Sequence, residues 1–403
     1  MLVTVRSFAK INLGLSIGAL RPDNFHDLRT VYQTIALHDV IRVQVGRGTG
    51  IEICCDDPRV PTDATNTCYR IAERAMAAFR ARGRVTITIE KRLPVQGGLG
   101  AGSGNAVAAL IGLERVLKKR LPVAEGLRLA ADVGSDLPLF LVGGTVLGVG
   151  HGEEVYPLPD LPPTVCVVAT PEIGVSTPKA FADWDAMTAS FTSETGEPGT
   201  IGPGKFAHGT HDRAGHDGGG HNRGGHDFSR ANSAERTTAL AAGGTAELRS
   251  ARTGQRPVPT QSRKITTASK LTPVDPSDRM IEFGRMISAW LSGQPLSGVP
   301  VSQGRGRAET SLLDLVRTGI ENDFEQVVFP KYPELCEVKR VLQKAGAFYA
   351  SLSGSGSAIY GLFATQAAGQ KAAARLRRDG VPAVVTKTMT RQHYWKKFLV
   401  SGF

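Results

Sequence analysis

Glycines at 97, 98, 100, 102 and 104, with Ser103 among them, make up the stretch of this chain best suited to chemistry. Glycine admits φ > 0 and lets bare backbone approach a ligand closely. The first turn of a helix offers unpaired N–H groups and a partial positive charge. A glycine-rich stretch running into a helix therefore has the composition of a phosphate cradle. Ser103 adds a hydroxyl that could donate to phosphate, bind Mg²⁺ or cap the next helix. On its own the stretch is a weak signal. No Gly-Lys-Ser/Thr follows the glycines, the G-x-G-x-x-G spacing is not cleanly met, and a tight strand-to-helix connection would use the same residues.

The elements that must position this loop are written on either side of it. Upstream, Val85, Ile87 and Ile89 alternate with Arg84, Thr86, Thr88 and Glu90, the period-two pattern of a half-buried strand. Downstream, residues 106–119 carry apolar side chains at helical spacing. Earlier in the chain, Val3 and Val5, then Ile11, Leu13 and Leu15, predict two opening strands with Ser7–Lys10 between or within them. Residues 40–45 and 51–55 predict a strand pair around the glycine turn 46–50. Helices are expected over 66–82 and 124–133, the second ending at Gly134. Residues 139–149 read as a buried strand or two, 165–169 as another strand and 171–178 as a loop. Beyond residue 279 the pattern predicts helices near 280–290, 312–320, 335–344 and 370–378. Strands flank a glycine turn at 353–357, and a last one lies at 383–387, an α+β alternation.

A chain of 403 residues suffices for two or three domains with their own cores. Cysteines at 54, 55, 68, 166 and 336 show no CxxC pairing, so neither a zinc site nor a disulfide framework is expected and a reducing cytoplasm fits. The opening residues lack the apolar core of a signal peptide, and no run reaches the ~18 apolar residues of a membrane span. A net charge of +11 and a pI of about 9.6 would suit an anionic partner such as nucleic acid. However, residues 201–275 hold eleven Lys/Arg against six Asp/Glu, so nearly half of the surplus lies in one low-complexity segment. No basic folded groove is required, and no nucleic acid partner is expected. The segment from about 190 to 275 cannot bury enough apolar surface to offset its ordering entropy and is expected to be disordered. A second linker is expected over 292–307. Five of the nine histidines, at 208, 211, 216, 221 and 226, could bind Zn²⁺ or Ni²⁺ loosely, but their irregular spacing does not make a built metal site.

Three further stretches act together with the glycine loop: Ser7-Phe-Ala-Lys-Ile-Asn-Leu-Gly14, Pro22-Asp-Asn-Phe-His-Asp-Leu-Arg-Thr30 and Gly134-Ser-Asp-Leu-Pro-Leu-Phe140. With Ser353-Gly-Ser-Gly-Ser357 they resemble, in order and spacing, the GHMP kinase superfamily. Within it they resemble the branch whose acceptor is a cytidine diphosphate-linked methylerythritol. The resemblance covers about residues 1–185 and 310–390. It implies a two-domain α+β fold, with an N-terminal α/β domain at 1–160 and a C-terminal ferredoxin-like domain at 161–403, the latter interrupted by the insertion.

The resemblance also implies a cytoplasmic small-molecule kinase using ATP and Mg²⁺, with no membrane partner. Lys10 and Asp136 match the family's catalytic pair. A carboxylate within reach can take the proton of an acceptor alcohol, and an ammonium keeps it ionised. Alone, the lysine would read as a solvated charge and the aspartate as a helix cap. Pro94, Val95, Gln96, Gly97, Gly98, Leu99, Gly100, Ala101, Gly102, Ser103 and Gly104 fall on the ATP loop; Asn66, Thr67 and Lys91 fall near adenine and ribose. Asn12, Phe25, His26 and Phe181 fall where the cytidine end is held, stacking and reading the base. Asn322–Glu325 also matches a family stretch and reads as structural. Family members usually have Tyr at the place of Phe25, Ala at that of Ser135 and Ser at that of Gly104. The last change implies a lost hydroxyl contact to phosphate and weaker ATP binding. A sibling kinase for homoserine, mevalonate or a sugar, and a scaffold binding RNA or metal through the insertion, are the alternatives.

Overall fold

The computed structural model of the protein describes residues 1–95, 97–194, 276–292, 315 and 320–400. The disorder expected up to residue 275, most of the second linker and most of the helix expected at 312–320 lie outside the described residues, as does Gln96.

The first sheet contains β1 (Leu2–Leu20), β2 (His26–Gly46), β3 (Ile51–Cys55), β4 (Arg84–Glu90), β5 (Thr145–Val149) and β6 (Glu154–Pro157). Its order is β3-β4-β2-β5-β6, with β1 also paired to β2. The two expected opening strands are thus a single 19-residue strand. Register shifts between Phe8 and Ala9 and between Asn12 and Gly14 break the alternation that sequence periodicity reads, while the ladder continues through them. The expected pairing of 40–45 with 51–55 is also corrected. β4 takes that edge of β2, antiparallel from Val40↔Glu90 to Gly46↔Arg84, and β3 runs parallel to β4. A parallel neighbour needs a crossover, and α1 (Thr67–Ala78) supplies it.

α2 (Ala101–Leu117) begins five residues before the expected start, so Gly102, Ser103 and Gly104 lie in its first turn. α1 stops short of residue 82, and Arg80 just beyond it is left-handed at φ 49°. α3 (Val123–Ala131) follows the expectation closely. Residues 137–142 form α4 (Leu137–Val142) rather than a strand. A short apolar run cannot be assigned by periodicity, and Pro138 in its first turn favours the helix.

The second sheet is fully antiparallel: β10 (Ala383–Lys387), β7 (Val165–Ala169), β9 (Ile359–Phe363) and β8 (Tyr349–Leu352), in that order. Of the later helices, α5 (Thr177–Glu194) belongs to its core, α6 (Pro276–Ser292) lies against β1 and β2 of the first sheet, and α7 (Glu325–Lys331), α8 (Pro333–Lys344) and α9 (Gln366–Arg378) again belong to the core of the second. α10 (Arg391–Phe398) was not expected. It brings Tyr394 and Phe398 into the core of the first sheet, and Tyr394 Oη donates to Phe140 O at 2.7 Å. A separate apolar layer contains Ile11, Leu13 and Ile35 from the first sheet with Cys166, Val168, Tyr360 and Leu362 from the second. Burying each of these large side chains stabilises by about 1.5–3 kcal/mol. This layer fixes β1, and hence Lys10, against the second sheet.

Candidate active site

Lys10 and Asn12 are two residues apart on β1 and so share a face, inside the segment bounded by the two register shifts. Lys10 Nζ donates to Asn12 Oδ1 at 2.8 Å and lies 3.4 Å from Asp136 Oδ2. The lysine side chain is 4% exposed and the aspartate 33%, so this is a buried ammonium whose partner reaches solvent. A buried charge persists only when paired, which removes the reading of Lys10 as a solvated surface residue. Asn12 Nδ2 donates to Thr30 Oγ1 at 2.8 Å, and that hydroxyl donates to Gly14 O at 2.7 Å, fixing the amide's orientation.

Asp136 occupies the N-cap position of α4, yet its side chain makes no capping bond. Its Oδ1 accepts from Tyr32 Oη at 2.9 Å instead. Burial and the Asp136 charge hold the Tyr32 hydroxyl well above its ordinary range, so it remains a donor. Sequence reading missed Tyr32, which looks like any aromatic residue of a strand.

In the glycine loop only Gly98 (φ 78°) and Gly100 (φ 69°) use the left-handed region. The amides of Ala101, Gly102 and Ser103 fall in the first turn of α2, beyond the intrahelical ladder. Gly104 N–H is already donated to Gly100 O at 2.8 Å. A Cβ at Gly104 would lie 2.9 Å from both Phe8 O and Ser7 Oγ, so this position faces β1. The expected loss of a phosphate contact at Gly104 therefore has no geometric basis. The 353–357 turn docks on the loop through Ala358 N to Gly97 O at 3.1 Å and Ser353 Oγ to Gly98 O at 3.0 Å. Asn322 Nδ2 pins that turn by donating to Leu352 O at 2.9 Å and Gly354 O at 2.8 Å.

Two cavities meet at the loop. One, of about 360 Å³, is lined by Asn66, Thr67, Lys91, Pro94, Val95, Gly97, Leu99, Ala101 and Gly102. The other, of about 710 Å³, is lined by Lys10, Asn12, Phe25, His26, Tyr32, Asp136 and Phe181. Gly98, Gly100 and Ser103 line both. Of the described residues expected at the site, Gly104 alone borders neither cavity.

Two polar side chains of the smaller cavity are already committed. Asn66 Oδ1 caps α1 by accepting from Cys68 N at 2.8 Å, and its Nδ2 donates to Pro61 O at 2.6 Å. Lys91 Nζ donates to the buried Asp39 Oδ2 at 2.6 Å. Asp39 also accepts from Arg92 N, Leu93 N and Asn105 Nδ2. Asn66 and Lys91 therefore shape this cavity more than they offer it free donors.

The larger cavity has aromatic walls. Phe25, 57% exposed, stacks on His151 with centroids 4.7 Å apart. His26 stacks on Phe181 at 5.2 Å and 7°, and Phe181 meets Phe324 edge-on at 5.0 Å. Phe181 thus serves as both wall and core. His26 Nδ1 bonds Gly18 O at 3.0 Å; its Nε2 lies 3.0 Å from Asp185 Oδ1 without hydrogen-bond alignment. Sequence reading missed His151 and Asp185, for which no periodicity gives a signal. A carboxylate beside an ammonium, next to a cradle of free amides, can accept a proton from an alcohol while phosphate charge is held in place.

Residues 66–144 match the family described as GHMP kinases N terminal domain, and residues 308–382 match GHMP kinases C terminal. The 4-diphosphocytidyl-2-C-methyl-D-erythritol kinase of Solibacter usitatus is 32% identical over 361 residues, which is 89% of this chain and 80% of that protein. The protein of the same name from Acaryochloris marina is 42% identical over 179 residues, 44% of this chain and 58% of its own length. Among solved structures, a 4-(cytidine 5'-diphospho)-2C-methyl-D-erythritol kinase superposes with a TM-score of 0.56 at 23% identity, covering 96% of this chain and 98% of the other. The homoserine kinase of Cytophaga hutchinsonii superposes equally well, TM-score 0.56 at 16% identity, covering 96% and 95%. At these identities the superpositions speak for the fold.

Proposed function

We propose residue roles from one premise: the chain belongs to the 4-diphosphocytidyl-2-C-methyl-D-erythritol kinases. Its reaction is the ATP-dependent phosphorylation of that cytidyl alcohol, at the 2-hydroxyl, in the non-mevalonate route to isoprenoid precursors. The observation that supports the roles is the pairing of the buried Lys10 ammonium with Asp136, 3.4 Å apart, on a cavity that shares Gly98, Gly100 and Ser103 with a second cavity. ATP occupies the smaller cavity, its adenine and ribose near Asn66, Thr67 and Lys91. Its phosphates lie on the shared wall, against the amides of Ala101–Ser103. The acceptor fills the larger cavity, its cytosine against Phe25, His26 and Phe181.

Asp136 takes the proton of the acceptor hydroxyl, and Lys10 is its electrostatic partner and faces the transferring phosphoryl group. Phosphoryl transfer asks chiefly for such positioning and charge stabilisation. The donors on the shared wall, backbone N–H and the Ser103 hydroxyl, suit phosphate and a hard cation, so Mg²⁺ would be held by ATP oxygens with Ser103 beside it. Bound there, the cation supplies neutralisation of phosphate charge. We place the enzyme in the cytoplasm and the domain boundary near residue 160, with α10 returning to the first domain. Among the described residues no helix is long and apolar enough to cross a membrane.

A coupled assay with ATP and the cytidyl alcohol tests the reading, with homoserine and mevalonate as competitors for the assignment. Asp136→Asn should lower kcat by at least ~10²-fold. Near-normal turnover by that variant removes Asp136 from the chemistry, and turnover of homoserine alone removes the substrate.

A further inference from the structure

Tyr32 touches both members of the catalytic pair. It faces Asn12 across the β1–β2 ladder and is 3% exposed. Lys10 Nζ sits 5.5 Å from the centre of its ring, and its hydroxyl donates to Asp136 Oδ1 at 2.9 Å. The neighbouring strand and turn lock the ring in place. A Cβ on Gly148 would lie 2.5 Å from Tyr32 Cε2, and one on Gly152 would lie 2.5 Å from Tyr32 Oη. The charged groups around the hydroxyl are Lys10 from β1, Asp136 ahead of α4 and Glu153 from the turn after β5.

The two oxygens of Asp136 are therefore unequal. Oδ1 is committed to a donor that does not lose its proton, whereas Oδ2 has Lys10 Nζ at 3.4 Å without a hydrogen bond. We propose that Tyr32 is a positioning residue that holds Asp136 by Oδ1 and so directs the acceptor's proton to Oδ2. The inference rests on the reading of Asp136 as the base. In the step, the acceptor O–H bond breaks as its oxygen bonds the γ-phosphorus of ATP. The bond from that phosphorus to the bridging oxygen breaks with its electrons going to ADP, and the proton rests on Oδ2 until solvent takes it.

Tyr32→Phe keeps the ring, its packing and its contact with Lys10, and removes only the hydroxyl. Its kcat should fall about ten-fold, the loss expected for one hydrogen bond to a charged group, with both KM values within about two-fold. In an Asp136→Asn background the same change should cause no further loss. Installing 3-fluorotyrosine at position 32 keeps the hydroxyl donor without disturbing the fold and should hold kcat within about two-fold of the wild type. A ten-fold loss in the 3-fluorotyrosine variant as in Tyr32→Phe, or independent losses in the double variant, overturns the proposal. If Asp136→Asn itself turns over normally, the assignment of the base fails. If Asp136→Asn is slow while Tyr32→Phe behaves as wild type, only the role of Tyr32 fails.

Discussion

The two cavities that meet at Gly98, Gly100 and Ser103 are built in opposite ways. The smaller one is a backbone site: two left-handed glycines, the open amides of α2, and polar side chains such as Asn66 and Lys91 that are spent on the protein itself. The larger one is a side-chain site, assembled from Lys10, Phe25, His26, Asp136 and Phe181 on separate segments of the chain. A backbone site fails when an atom is added, because there is no flexible group to move aside. A side-chain site fails when an atom is removed. The contrast predicts which substitutions disturb which substrate.

Gly98→Ala should have the largest effect. Its φ of 78° strains any L side chain, and the new Cβ would lie 2.1 Å from Ser353 O, a backbone atom that cannot swing aside. The strain alone costs about 1–3 kcal/mol. Relief must shift the loop from the 353–357 turn, and a displacement of ~1 Å at a phosphate cradle is enough to lower kcat/KM for ATP by about 10²-fold. Thermal unfolding and ATP kinetics should therefore move together. A silent Gly98→Ala would show that the cradle is not held by backbone contact.

Phe25→Ala is the matched test on the other side and should be smaller. Losing one aromatic face for a base is worth about 1–3 kcal/mol, so KM for the cytidyl acceptor should rise about ten-fold. Because the ring is 57% exposed, the unfolding temperature should hold, and KM for ATP should not change. A rise in the ATP KM as large as that for the acceptor would mean that the two cavities are not separable.

The same contrast explains what could be read from the sequence. Backbone sites are written as glycine, so the glycine loop stood out before any fold was known, and the alternation at 84–90 placed the strand ahead of it. The side-chain site was legible only through resemblance, because Lys10, His26 and Asp136 come together by topology that no local pattern encodes. Tyr32 and His151 stayed hidden for the same reason: one is an aromatic residue in a strand, the other a histidine in a glycine turn. The long β1 was misread as two strands because its register shifts interrupt the alternation around the residues they position. The edge taken by β4 was missed because adjacency in sequence favours a hairpin over a crossover.

Gly104→Ser separates the two descriptions of the loop more finely. If the position faced ATP, the new hydroxyl would lower KM for the nucleotide. Its Cβ would instead sit 2.9 Å from Phe8 O and Ser7 Oγ, so the expected outcome is an unchanged ATP KM and a stability loss of about 1–3 kcal/mol from overpacking. A several-fold gain in ATP affinity would restore a phosphate contact at 104.

The smallest effect is expected at Cys68, which borders the smaller cavity from the first turn of α1 and is 1% exposed. Burial raises its thiol from an ordinary 9.0 to about 12. The thiolate is the nucleophile, so in the folded protein Cys68 stays neutral and unreactive until the pH approaches that value. In the unfolded chain it ionises about three units lower, which means that raising pH above the ordinary value destabilises the fold at this residue. Iodoacetamide at pH 8 should modify the partly exposed Cys54, Cys55 and Cys336 and leave Cys68 unlabelled, with KM for ATP unchanged. Adding urea to the unfolding midpoint should bring Cys68 labelling up in step with loss of structure. Labelling of Cys68 in the native protein as fast as Cys54 would mean that the nucleotide cavity opens past its backbone wall to the side chains behind it, and the distinction between the two sites would not hold.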